Sequence, residues 1–139
     1  MTRDFVVLVH ERMFDRTWRW AGQFRRTERN IGVDPRAIAV ELRNLLDDAA
    51  YWLDEGTYPD DEAAARLHHR MVAIHPFPNG NGRHARMIAD AFLVKKGVPR
   101  FTWGSGKLLE TSDIRRCYIT ALRAADAHDI EPLLHFVRS

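Results

Sequence analysis

Apolar positions along this chain recur mostly at helical spacing. From Asp4 to Phe14, the residues Phe5, Leu8, Val9 and Met13 form a stripe in steps of three and four, which predicts an amphipathic helix. It begins almost at the first residue with hardly any capping sequence before it, as expected of a helix cut from something longer. Thr17 to Trp20, followed by Ala21-Gly22, predicts a short helix ending on glycine. The stretch GQFRRTERNIGVDP then loses the helical period. It alternates weakly about a charged centre, with glycines near both ends, and predicts an irregular β-hairpin or flap. Pro35 opens a second long helix, over 36–53, with Ile38, Leu42, Leu45, Leu46 and Ala49 on one side. TYPDDEA supplies a turn, a proline and acidic first-turn residues for a helix over 61–74. That helix stops at His75-Pro76, and Asn79-Gly80-Asn81-Gly82 forces a turn. The next helix, over 83–96, has Ala85, Met87, Ile88, Ala89, Ala91, Phe92, Leu93 and Val94 around much of its circumference, and is expected to be buried on most sides. Two more helices are predicted, over 112–127 and 131–136. No repeat, low-complexity tract or interdomain linker interrupts the pattern, so the expected fold is all-α: one domain over 1–139, a helical bundle with a short β-hairpin flap.

Composition narrows this picture. With 139 residues, 45% of them hydrophobic, the chain can bury one proper core and has little room for a second. No stretch approaches the roughly eighteen uncharged apolar residues of a membrane span, and FVVLV is too short for a signal peptide. The lone Cys117 excludes an internal disulfide framework and a multi-cysteine metal site, and reads as a packed thiol. A cytoplasmic protein is the simplest expectation. Net charge is only +2, and of the 21 basic residues just Lys95, Lys96 and Lys107 are lysines. Arginine suits phosphate because its planar fork donates two bonds at once. Here, though, the arginines are dispersed and no helix gathers base-reading side chains, so direct nucleic-acid binding is not expected. The histidines do not suggest a metal hydrolase: His68 and His69 cannot face one ion from one helix, and His10, His84, His128 and His135 lack HExxH-like spacing.

Candidate chemistry concentrates in HPFPNGNGRHAR, residues 75–86. Two glycines alternating with two asparagines let the backbone adopt left-handed conformations and approach a ligand closely. A helix starts directly after them, so its first amides are unpaired and lie at the positive end of its dipole, a ready anion site. Arg83 and Arg86 lie at i and i+3 on one face of its first turn and add two guanidinium forks. His75, at the end of the preceding helix, could accept a proton from an attacking hydroxyl. A base, an anion cradle and two charge clamps are the parts of an in-line phosphoryl-type transfer. Each element alone has a plainer explanation: a turn, a helix end, or a surface ion pair between Arg86 and Asp90. Their co-occurrence within twelve residues is what points to chemistry.

The same twelve residues resemble the signature of the Fic family, H-x-F-x-[D/E]-G-N-G-R-x-x-R, at all positions but one. WRWAGQFR resembles the family's segment leading into its flap, and YITALRAADAHDIEPLLHF its C-terminal helices, so the resemblance covers nearly the whole chain. It implies a protein adenylyltransferase that uses ATP and Mg²⁺. His75 would be the general base, deprotonating a Ser, Thr or Tyr hydroxyl of the target for attack on the α-phosphate. Gly80, Asn81 and Gly82 would form the anion hole through their amides, with the Asn81 side chain contributing. Arg83 and Arg86 would hold the β- and γ-phosphates, and Phe77 would anchor the loop by packing. The flap, about Arg26 to Val33, would register the protein substrate by main-chain pairing. Tyr118 and Asp126 fall where the family contacts the nucleoside, although Tyr118 fits core packing equally well.

The departing position is Asn79, where the family carries an Asp or Glu magnesium ligand. Asn79 could offer its amide oxygen, directly or through water, but with one negative charge fewer. Three readings follow: a transferase with weak metal binding, an altered donor or chemistry, or a nucleotide-binding pseudoenzyme; from a different class, the chain could be the partner-binding component of a toxin–antitoxin-like or mobile-element module. The motif is also similar to that of a Fic subgroup called mobile mystery protein B. A Doc-like protein kinase is a further alternative; Gly82, which that branch replaces by lysine, favours nucleotidyl transfer. The family's inhibitory pattern [S/T]-x-x-x-E-[G/N] is not evident. Its nearest match, Tyr51 to Gly56, lacks the first Ser or Thr and falls where a core helix ends. Inhibition is therefore expected from an N-terminal segment lost by truncation or from a partner such as an antitoxin.

Overall fold

The computed structural model describes all 139 residues. Helix α1 spans Arg3–Phe14, and Thr2 caps it by accepting from the Phe5 amide at 3.1 Å. Asp34 accepts from the Arg36 amide at 2.9 Å and launches a 3₁₀ turn, Pro35–Ala37, that runs into α2, Ile38–Glu55. Gly56, in the left-handed region at φ 61°, ends α2. Helix α3, Asp60–Ile74, starts on three acidic residues that suit its positive end. Helix α4 covers Asn81–Lys95, α5 Thr111–Asp126 and α6 Glu131–Val137.

The central pair is α3 and α4, which pack on each other more extensively than any other two elements. Helix α2 covers α3, α1 lies on α4, and α5 with α6 forms a second hairpin beside α3. Ile38, Leu42, Leu45, Leu46 and Ala49 of α2 all enter the core, as their spacing predicts. The other two stripes need correction. The buried face of α1 is Val6, His10 and Phe14, while Phe5 and Leu8 are exposed. Nor is α4 buried on most sides: Ala85, Ile88, Ala89, Phe92 and Leu93 face inward, but Met87 and Val94 are 42% and 59% exposed.

Two further expectations fail. Residues 17–22 form consecutive turns rather than a helix, with Trp18 and Trp20 stacked at 4.5 Å. The flap is not a β-hairpin, and the chain contains no strand. The reason lies in Arg25, whose guanidinium enters between the two limbs and donates to the carbonyls of Thr27 and Val33. Those carbonyls receive the guanidinium in place of a cross-strand amide. The limbs bond instead to the end of α3, Arg25 N–H to Pro76 O at 3.0 Å and Val33 N–H to Ile74 O at 3.3 Å.

Candidate active site

The loop between α3 and α4 is held from three directions. His75 closes α3 in a left-handed conformation (φ 53°, ψ 61°), its amide bonded to Met71 O, and Pro76 cannot continue the helix. Asn81 clasps the loop from within: its Oδ1 accepts from Phe77 N–H at 2.9 Å and its Nδ2 donates to Phe77 O at 2.7 Å. Phe77 is fully buried, stacked on His10 with centroids 3.7 Å apart and edge-on to His84. His10 holds the loop from α1. Because Gly22 N–H donates to its Nδ1 (2.9 Å), its proton sits on Nε2, which donates to Asn79 O (3.0 Å). Gly80 is required by both space and backbone: at φ 77°, a Cβ there would lie 2.7 Å from the Phe14 ring.

Beyond Gly80 the chain offers donors with nothing to receive them. No side chain caps α4, and its hydrogen bonding begins with His84 N–H to Gly80 O, leaving the amides of Asn81, Gly82 and Arg83 without a protein acceptor. A Cβ on Gly82 would meet nothing within 4 Å, so the approach to these amides is open. Arg83 lies over the Phe14 ring at 4.8 Å, and Arg86 over Tyr118 at 4.5 Å and Trp103 at 5.3 Å. Neither forms an ion pair. Asp90, the plainer partner for Arg86, instead accepts from Phe101 N–H and Trp103 Nε1, each at 3.2 Å. Two guanidinium groups and three amides thus surround a site with no counter-charge from the protein, an arrangement that suits a polyanion. At its edge, burial holds the His75 imidazole below its ordinary range, and the Arg25 and Arg29 charges push the same way. The ring is therefore neutral at neutral pH and free to accept a proton.

The structure thus brings His75, Gly80, Gly82, Arg83 and Arg86 into one loop and the helix turn that follows it. Three other candidate residues have partners within the protein. The Asn81 side chain is turned inward onto Phe77, so only its backbone amide faces the anion site. Tyr118 is buried under Arg86 with its hydroxyl 2.7 Å from His68 Nε2, and supports the arginine from below. Asp126 bonds to His69 at 2.7 Å and to no residue of 75–86. Asn79 Oδ1 accepts from Gly80 N–H at 2.8 Å, and nowhere do three His, Cys, Asp or Glu side chains gather as a metal group. One neutral oxygen, already bonded within the loop, does not fit a magnesium ion held by the protein.

Sequence reasoning missed His10, Arg25, Phe14 and Trp103. The Val6–His10–Phe14 spacing of four could have exposed His10 as a buried member of α1. Nothing local marks Arg25, which is one arginine among many.

The Fic/DOC family model matches residues 1–93. Protein adenylyltransferase fic-1 of Caenorhabditis elegans is 31% identical over 124 residues, covering 84% of this chain and 22% of that protein. Protein adenylyltransferase Fic of Nematostella vectensis is 29% identical over 141 residues, covering 99% of this chain and 31% of its own length. The chain therefore spans less than a third of these curated relatives. Among solved structures, a Fic domain containing signaling protein from Bacteroides thetaiotaomicron superposes with a TM-score of 0.81 at 21% identity, over 99% of this chain and 58% of that one. A Fic-1 structure from C. elegans gives 0.76 at 26% identity, over 99% and 39%.

Proposed function

This chain belongs to the Fic/DOC family, and from that premise we propose that it is a protein adenylyltransferase, moving AMP from ATP to a Ser, Thr or Tyr hydroxyl of a target protein in the cytoplasm. One observation carries the reading: a histidine kept neutral opens the loop that leads into an uncapped helix start bearing two arginines without acidic partners. His75 accepts the hydroxyl proton as the hydroxyl oxygen attacks the α-phosphorus. The bond from that phosphorus to the α–β bridging oxygen breaks, and pyrophosphate leaves. The amides of Asn81, Gly82 and Arg83 face the charge that develops on the transferred phosphate, while Arg83 and Arg86 hold the two departing phosphates. The target segment lies along the flap, about Arg26 to Val33, whose residues 26–32 are exposed. Magnesium would enter with the triphosphate, bound to its phosphate oxygens rather than held by the protein. An antitoxin or inhibitory segment that set a carboxylate on Arg86 would block the phosphate site.

Asn79 supports a second reading, a nucleotide-binding pseudoenzyme acting through a partner, because it removes the charge a metal would use. Label transfer from ATP to protein in a host lysate decides between them, with His75→Ala as control. The expected result is α-phosphate label on protein that disappears in the control. Label from the γ-phosphate alone would mean a Doc-like kinase, and bound ATP with no transfer of either label would establish the pseudoenzyme.

A further inference from the structure

One buried cation has no part in the transfer described above. Arg25 is 3% exposed and forms no ion pair, although it opens the exposed flap. It takes up three successive carbonyls where α3 ends: Nη2 donates to Ile74 O at 3.2 Å, Nε to His75 O at 2.6 Å and the backbone amide to Pro76 O at 3.0 Å. Carbonyls at a helix C-terminus lack intrahelical donors and sit at the negative end of the dipole, so a cation is favoured there. This one arrives from fifty residues away and brings the flap with it, because Nη1 also donates to Thr27 O at 3.0 Å and Nη2 to Val33 O. The flap backbone is drawn onto the histidine itself: a Cβ on Gly32 would lie 2.7 Å from His75 Cβ and 2.6 Å from Arg25 Nη2.

We propose that Arg25 is a positioning residue that sets the register between the flap and His75, so that a hydroxyl carried by a docked segment meets the imidazole. The proposal rests on the transferase reading. Only a guanidinium can serve, since its donors diverge in a plane toward carbonyls on both limbs and on the helix end. A lysine ammonium keeps the charge but donates from a single point. None of Arg25's bonds reaches residues 79–86, so its loss should spare the nucleotide.

The test compares the full chain with its Arg25→Lys and Gly32→Ala variants. The second disturbs the same contact and leaves the charge in place. AMP transfer to the protein target, ATP affinity by calorimetry and amide hydrogen exchange are measured together. Both variants are expected to lose at least about tenfold in kcat/KM for the target while ATP affinity stays within about twofold. Exchange at the Val33 amide should rise at least about tenfold in Arg25→Lys, with α3 and α4 core amides unchanged. Native-like transfer by either variant overturns the proposal, and so does a parallel loss of ATP affinity and core protection, which would mean a general folding role. If the native chain transfers no label, the transferase reading fails and the proposal falls with it. Transfer that is indifferent to Arg25 sinks the proposal alone.

Discussion

At position 79 a carboxamide stands directly before the helix start that carries the anion site. Its oxygen accepts from the Gly80 amide, and the donor requirement of that amide fixes which end of this exposed side chain faces it. Asn79→Asp would keep the bond to Gly80 and add a negative charge where the α4 dipole favours one, so stability should hold or rise by about 0.3–1 kcal/mol. The same charge would repel the triphosphate until a cation bridges them. We therefore expect the variant to bind ATP more weakly than the native chain in EDTA and to recover with Mg²⁺, while the native chain responds little to the metal. Calorimetric titrations under both conditions check this, and equal metal dependence of the two chains would refute it. The placement of His75, Gly80, Arg83 and Arg86 on one loop and the helix turn after it was legible at this scale because their backbone or charge requirements are local. The side chain of Asn81 was misread, because a motif residue can point into the loop as readily as out of it.

Between elements, histidines join α1 to α4. His84 Nε2 lies 2.9 Å from Val6 O, His10 bonds to Asn79, and both rings pack on Phe77. Burial pushes His84 down to about 4 and His68, deeper between α3 and α5, to about 3, with His10 lowered as well. These native pKa values lie below the unfolded value near 6.5, so the unfolded chain binds protons that the native one refuses. Stability is fully present above about pH 6.5 and falls on acidification through the window down to about pH 4 and then 3. The slope is about 1.4 kcal/mol per pH unit for each such histidine. Denaturant titrations at pH 7, 6 and 5 should show midpoints falling progressively, and a flat profile would contradict this. The register of α1 was illegible for the same reason. A polar His10 lies on the buried face, so apolar counting chose the wrong stripe.

Across the whole molecule one core of 23 buried residues draws on all six helices, from Val6 in α1 to Val137 in α6. A chain with a single shared core should unfold cooperatively. We expect far-UV circular dichroism and tryptophan fluorescence to give coincident transitions, since Trp18, Trp52 and Trp103 sit in different regions of the chain. Separated midpoints would show that the α5–α6 hairpin or the flap melts on its own.

The long helices over 36–53, 61–74 and 83–96, the break at His75-Pro76 and the glycine-rich turn after it were determined by the sequence alone, because period, proline and glycine act over a few residues. The flap, the Arg86 setting and the inner face of α1 were decided only by the tertiary structure. Arg25 reaches carbonyls fifty residues away, Arg86 rests on rings from two other segments, and His10 is buried by partners that no local pattern contains. Such bonds depend on which distant groups folding brings within reach, and an unpaired hairpin edge or a charged side chain looks the same in sequence whether or not a partner arrives.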